Sequence, residues 1–233
     1  MKAVVIALEG QNFDKLEESL KKHSPEVELS VLDATTPETI SRDRLLFPQF
    51  KWSWPMSSNE NGLDMQTGLY KFCYTAKDQQ KKIACSLSHM RAWRRCHKLD
   101  QPIIVFESDA IVTNDLTNVS GADIIGLNDP RKATRRSLTY HGKLESRHFD
   151  TGDIIHPVPN LSTVGEQPVP HGLAGNSAYY ITPQGADKLL RSAIHYGMYP
   201  NDAFICKELF PWIRTAYPYY TTIDTTNVSS TTG

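Results

Sequence analysis

The run Gln101-Pro102-Ile103-Ile104-Val105-Phe106 constrains this chain more than any other segment. A strand with one wet face alternates apolar and polar residues. A strand that is apolar at every position has both faces covered, as happens inside a parallel sheet flanked by helices. In open sheets of this kind, ligands bind at the carboxyl ends of the strands. Here that end reads Glu107-Ser108-Asp109, so a few adjacent residues indicate both a fold class and a place for chemistry.

The remaining pattern fits an α/β chain. Residues 3–8 are apolar and rich in β-branched side chains, and Phe13, Leu16 and Leu20 then follow at helical spacing, giving a strand and an amphipathic helix. Val27, Leu29 and Val31 alternate with polar residues and run into Asp33-Ala34-Thr35-Thr36-Pro37, a second strand ending in a turn, parallel to the first. Residues 79–98 carry Ile83, Leu87, Met90 and Trp93 on one helical face. Asp123 to Leu127 is a shorter strand. After the strand Tyr179-Tyr180-Ile181, Thr182 is placed to cap a helix with Pro183 at its first position. Asn201-Asp202 precedes a short helix from Ala203 to Leu209. Leu45 to Tyr74 reads as a long aromatic loop whose rings serve either as a sugar platform or as packing onto the sheet. Residues 128–172 read as loops with small antiparallel pieces, and the Thr/Ser-rich tail from about Thr221 as frayed. There is no internal repeat, and 233 residues suit one buried α/β core, taken as a single domain over 1–233.

Charge narrows the choice of partners. Lys and Arg number 25 against 26 Asp and Glu, a balance that gives no global field to hold nucleic acid or an anionic membrane. An anionic ligand must be held locally. The densest basic stretch, Arg131-Lys132-Ala133-Thr134-Arg135-Arg136, has three readings: a solvated loop, a clamp over a diphosphate, or a contact for a phosphate-bearing acceptor such as lipopolysaccharide or nucleic acid, nucleic acid being the least favoured partner. Arg91, Arg94 and Arg95 add to it only if their faces coincide. The apolar start, Met1 to Leu8, is too short for a signal segment or a membrane span, which favours a cytoplasmic location, free or peripheral to a membrane. Cys73, Cys85, Cys96 and Cys206 lack Cys-x-x-Cys spacing and read as reduced, mostly buried thiols. The sequons at Asn118, Asn160 and Asn227 read as chance matches.

The chemistry-bearing residues start with Glu107 and Asp109. Two apart on an extended segment, their carboxylates can diverge, and hard oxygen ligands suit Mg²⁺ or Mn²⁺ bridging two phosphates. The plainer alternative is that they cap the next turn. Asp202 offers a general base or a helix cap. His89 lies on the long helix as a packed residue or as a partner orienting the strand-end carboxylates, and His171 beside Gly172 is a candidate for reaching a metal or an acceptor.

Taken together, Ile83-Ala84-Cys85-Ser86-Leu87-Ser88-His89, the strand ending Glu107-Ser108-Asp109-Ala110, the stretch Gly175-Asn176-Ser177-Ala178-Tyr179-Tyr180-Ile181-Thr182-Pro183, and Tyr199-Pro200-Asn201-Asp202 resemble glycosyltransferase family 25, which includes lipopolysaccharide and collagen galactosyltransferases. The likeness spans nearly the whole chain. It departs at Ser108, where family members usually carry a third acidic residue, at Lys82-Ile83-Ala84-Cys85 in place of Glu-Ile-Gly-Cys, and at the N-terminal strand, which lacks the usual arginine-bearing segment.

The resemblance implies a GT-A-like Rossmann-type sandwich with a mostly parallel central sheet. It implies a UDP-sugar donor, with galactose or glucose preferred, a Mn²⁺ or Mg²⁺ ion, inverting chemistry, and a saccharide, glycolipid or other hydroxyl acceptor. On this reading Asp202 is the base and Asp109 the direct metal ligand. Glu107 serves the ribose or the metal, and His171 is a further metal candidate. Ser88, His89, Asn176 and Tyr179 line the nucleotide or sugar pocket. Two rivals stand beside it: a degenerate glycan- or nucleotide-binding module, and another metal-dependent nucleotide-using transferase. For the latter, no Gly-x-x-x-x-Gly-Lys-Ser/Thr loop is present.

Overall fold

A computed structural model describes residues 1–74, 78–132, 137–161, 163–164 and 166–226. In chain order the elements are β1 (Lys2–Ala7), α1 (Asp14–His23), β2 (Glu28–Asp33), α2 (Ile40–Arg44), β3 (Gly62–Asp64), β4 (Leu69–Lys71), α3 (Gln79–Leu99), β5 (Ile103–Glu107), β6 (Ala110–Val112) and β7 (Ile124–Gly126). They continue with α4 (Ser137–Thr151), β8 (Ile155–Pro157), β9 (Thr163–Val164), β10 (Gln167–Pro168), β11 (Ala178–Ile181), α5 (Pro183–Tyr196), α6 (Asn201–Phe204), β12 (Arg214–Ala216) and β13 (Thr221–Ile223).

Seven strands form the central sheet in the order β2-β1-β5-β11-β7-β12-β8. β2, β1, β5, β7 and β12 run one way, β11 and β8 the other. This is the expected α/β sandwich with a mostly parallel sheet. The apolar run of β5 sits inside it between β1 and β11. Alternate β5 residues face opposite cores: Ile103 and Val105 pack with Leu87, Met90 and Trp93 of α3 and with Ala186 and Leu189 of α5, while Ile104 and Phe106 pack with Leu16 and Leu20 of α1. Two-sided burial is what made the run continuously apolar.

Helix signals read from the chain hold where periodicity was strong. Asp78 caps α3, its carboxylate accepting from the Gln80 amide at 2.8 Å, and Thr182 caps α5 by accepting from the Gly185 amide at 3.0 Å. Four expectations are corrected. Residues 128–172 contain α4, a helix of 15 residues, hidden because only Tyr140 and Leu144 of its apolar positions are buried and Gly142 interrupts it. The 45–74 region is not loop throughout, since β3 and β4 pair as a hairpin. Its rings mostly pack: Phe50 and Trp54 belong to the core, Trp54 against Tyr74 and Tyr199. The helix expected over 203–209 is four residues long and starts at Asn201. The chain is not frayed at 221 either, because β13 pairs with β6 and Asp224 is buried. Residues 227–233, with the Asn227 sequon, lie outside the described residues, as do Ala133 to Arg136 of the basic stretch and Ser162 of the Asn160 sequon.

Candidate active site

Glu107 ends β5 at the carboxyl edge of the sheet, level with Ile6 of β1. Its amide donates to the Ser177 carbonyl at 2.7 Å, which fixes the strand end against the segment entering β11. The Glu107 side chain is 40% exposed, and its Oε1 lies 3.2 Å from His89 Nε2. His89 Nδ1 in turn lies 3.0 Å from the Tyr179 hydroxyl, which accepts from Trp93 Nε1 at 2.8 Å. Tyr179 and Trp93 are sealed from solvent and His89 nearly so. Because the indole can only donate, the phenol is free to donate to Nδ1, and the network then assigns His89 its proton on Nε2, directed at Glu107. His89 and Tyr179 thus stand behind Glu107, closed off from solvent.

Asp109 lies in the turn after β5. Its Oδ1 is buried and has no hydrogen-bond partner among the described residues. Burial, foremost, and the nearby Glu107 charge push its carboxyl up to about 6. Its main-chain carbonyl accepts from the Asp224 amide at 2.8 Å, so β13 closes over this turn. Just before β11, Asn176 is buried with both side-chain polar atoms unpartnered among the described residues, and so is the Ser177 hydroxyl. A buried amide that satisfies neither donor nor acceptor within the protein is rare and points to a missing ligand or water.

Asp202 is carried by α6. The Ser86 hydroxyl on α3 donates to the Tyr199 carbonyl at 2.9 Å and holds the segment leading into that helix. Gly172 packs so tightly beneath it that a Cβ there would come within 1.8 Å of the Asp202 carbonyl oxygen. Pro200 occupies the cap position of α6, and the Asp202 carboxylate in the first turn draws on the main-chain amides of Asp202 and Ala203. Asp202 is exposed to solvent. Burial raises its pKa, Lys82 opposes that shift and Glu107 adds to it. Lys82, Cys85 and His89 lie at i, i+3 and i+7 on α3 and therefore share the face turned to Glu107 and Asp202.

Two candidates take other positions. Ser88 is buried, donates to the Ala84 carbonyl at 3.0 Å and accepts from the Thr35 amide at 2.8 Å. It pins the loop after β2 and presents no free hydroxyl to a nucleotide. His171 is buried with its Nδ1 at 2.6 Å from Glu208 Oε1, while its amide donates to Glu208 Oε2 at 2.8 Å. Burial pulls the Glu208 carboxyl upward, but these His171 bonds outweigh it and hold the group below the usual range. Among the described residues, the His, Cys, Asp and Glu ligand atoms that gather within 4.8 Å are those of Cys85, His89 and Glu107, and His171 is not with them. Asp109 is outside that cluster as well, and His171 pairs with Glu208.

Glu208 also lines a groove of about 940 Å³ bounded by α4 and β8, with Lys143, Arg147 and Lys207 on its walls. Arg91 and Arg95 are engaged elsewhere on the molecule. Arg91 binds Asp43 at 3.0 Å and the Asp33 carbonyl at 2.8 Å, and Arg95 binds Ser30 at 3.0 Å. Arg131 is engaged by Asp129 at 2.6 Å.

Comparison with known proteins settles the family. The model of glycosyltransferase family 25, described as lipopolysaccharide biosynthesis proteins, matches residues 1–205. The chain belongs to glycosyltransferase family 25. No curated protein matches it. Among solved structures, apo glycosyltransferase GlyE of Streptococcus pneumoniae is similar at 13% identity over 96% of this chain, with a TM-score of 0.37. This chain spans 44% of that protein's length. Apo mouse xyloside xylosyltransferase 1 is similar at 10% identity, covering 91% of this chain and 82% of the other, with a TM-score of 0.40. Likeness at this level carries nothing about substrates or residue roles. No helix among the described residues is long and apolar enough to cross a membrane.

The site contains groups that sequence alone did not single out, namely Trp93, Lys82, Ser177 and Glu208. Lys82 and Trp93 were legible in principle, since both fall on the helical stripe through His89. Ser177 and Glu208 carry no local signature, because their roles arise from β11 lying beside β5 and from the chain folding back onto His171.

Proposed function

We propose that this chain transfers a hexose, galactose or glucose by preference, from a UDP-sugar to a hydroxyl acceptor with inversion, using Mn²⁺ or Mg²⁺. The observation that carries the reading is the buried, unpartnered Oδ1 of Asp109 beside a second carboxylate, with the Asp109 pKa raised to about 6. Two acidic groups crowded at a strand end without a matching cation have the chemistry of a hard divalent site. Asp109 would hold the ion with help from Glu107, and the ion, when bound, would neutralise the diphosphate leaving group.

The chain's own residues supply the rest. His89, backed by Tyr179 and Trp93, keeps Glu107 in one orientation. Asn176 offers an unsatisfied donor and acceptor for ribose or sugar hydroxyls. Asp202, with a pKa raised yet open to solvent, takes the proton of the acceptor hydroxyl. The acceptor, a saccharide, glycolipid or other hydroxyl compound, would meet Asp202 on its solvent-exposed side.

The test is a panel of UDP-sugars scored for released UDP with Mn²⁺ and with chelator, together with calorimetric UDP binding to wild type and Asp109→Asn. Metal-dependent UDP binding that Asp109→Asn abolishes supports the reading. Binding indifferent to chelator and to Asp109→Asn overturns it, and a wholly silent panel favours a glycan- or nucleotide-binding module.

A further inference from the structure

Cys85 and His89, four residues apart on α3, face the end of β5, and their ligand atoms lie within 4.8 Å of each other and of a Glu107 oxygen. Around a tetrahedral ion with bonds of about 2.0–2.1 Å to nitrogen and oxygen, those two ligands lie about 3.3–3.4 Å apart. The observed His89 Nε2 to Glu107 Oε1 separation is 3.2 Å. An independent feature matches as well. A metal-bound histidine normally donates its other ring N–H to an oxygen that fixes the ring, and the buried Tyr179 hydroxyl stands 3.0 Å from Nδ1 for that purpose.

We infer that Cys85 Sγ, His89 Nε2 and Glu107 Oε1 form a three-ligand site for a borderline-soft divalent cation of the Zn²⁺ class, with the fourth position open to the cleft. Sulfur sets this site apart from the hard, all-oxygen site proposed at Asp109, since thiolate selects Zn²⁺-like ions over Mg²⁺ and Mn²⁺. Binding replaces the thiol proton of Cys85, which leaves to solvent, and takes His89 in the tautomer with its proton on Nδ1, donated to the Tyr179 oxygen beside the Trp93 N–H while the phenol proton turns away from Nδ1. The thiol is half-buried, and burial, then the Glu107 and Asp202 charges, push its pKa up. Glu107 is shared by the two sites, so occupancy of one bears on the other.

Co²⁺ serves as the spectroscopic probe, titrated without nucleotide into the chelator-treated full chain, so the outcome does not depend on the identity of the donor. The expected result is one equivalent bound with a near-ultraviolet thiolate-to-cobalt charge-transfer band and visible bands of tetrahedral intensity. Cys85→Ser and Cys85→Ala both lose the charge-transfer band, Cys73→Ser keeps it, and Zn²⁺ displaces the cobalt. Zn²⁺ affinity by chelator competition falls at least about 10-fold in His89→Gln. A wild-type protein with no charge-transfer band overturns the inference, and so does a band that survives both Cys85 variants or follows Cys73. Failure of the UDP-sugar reading shows instead in the Mn²⁺ and Asp109→Asn measurements.

Discussion

Tyr179 and Tyr180 are neighbours on β11 that point to opposite faces of the sheet, and replacing each with Phe isolates the hydroxyl behind the site. In Tyr179→Phe the Trp93 Nε1–H loses its acceptor at 2.8 Å and His89 Nδ1 loses its partner at 3.0 Å, both among fully or nearly fully buried groups. A buried polar group left unsatisfied costs about 1–3 kcal/mol. Two of them, with some relaxation, put the loss at about 3 kcal/mol, which for a chain of this size lowers Tm by roughly 6–12 °C. Tyr180 belongs to the other core, and among the described residues its hydroxyl is not part of the His89–Trp93 chain, so Tyr180→Phe stays within about 0.5 kcal/mol of wild type. Thermal melts and urea titrations of the three proteins measure the difference. If Tyr179→Phe and Tyr180→Phe melt within about 2 °C of each other, the relay from Trp93 to Glu107 does not carry the energy assigned to it.

Three further outcomes follow from the same geometry. Gly172→Ala drives a methyl to 1.8 Å from a main-chain oxygen of α6, an overpacking worth about 3 kcal/mol or more, and its melting point falls well below that of Gly142→Ala, whose added Cβ meets nothing. Lys82 holds down the pKa of Asp202, which burial and Glu107 raise. A base must be deprotonated to act, so Lys82→Met moves the acid limb of the kcat/KM profile to higher pH, and an unmoved limb removes Asp202 from the role. Asp224 is held down to about 2, chiefly by its bond to Lys15 at 2.7 Å. A lowered folded-state pKa gives stability that is complete above the unfolded value of about 4 and lost as pH falls toward about 2. Melting curves of wild type and Lys15→Met should therefore converge across that window, and a constant gap between them counts against the pairing.

How much of the fold was legible depended on how each segment is buried. β5 declared itself because both faces are covered, and α3 and α5 because one stripe is. α4 stayed hidden since most of its surface faces water, with Leu138 and Phe149 exposed at 74% and 89% and only Tyr140 and Leu144 reaching the core among its large apolar residues. No periodicity rule detects a helix that buries two such side chains. The 45–74 region misled for the converse reason. Trp54 packs with Tyr74 and Tyr199, and buried Lys71 lies over the Tyr199 ring at 3.7 Å while its ammonium meets Asp64 and the Ser53 carbonyl, so that Tyr199, far along the chain, completes the packing.

The site divides along the same line. Glu107 and Asp109 were visible because a buried strand points at them, and His89 because its helix precedes that strand. Ser88 and His171 sat in equally suggestive company, yet each had a long-range partner, Thr35 and Glu208, that no local pattern reveals. The tail shows what this means for function. Its Thr and Ser residues read as solvent-loving, but Thr221 to Ile223 pair with the strand immediately after Asp109, and the next amide, that of Asp224, bonds the Asp109 carbonyl. An edge ribbon of three residues is marginal alone. Here Lys15 on α1 holds Asp224 from the other side, so the turn presenting the buried carboxylate is clamped between the first helix and the last strand. The spacing of Glu107 and Asp109 supplies two carboxylates, and the clamp on the turn that carries one of them comes from Lys15 and Asp224, near the two ends of the described chain.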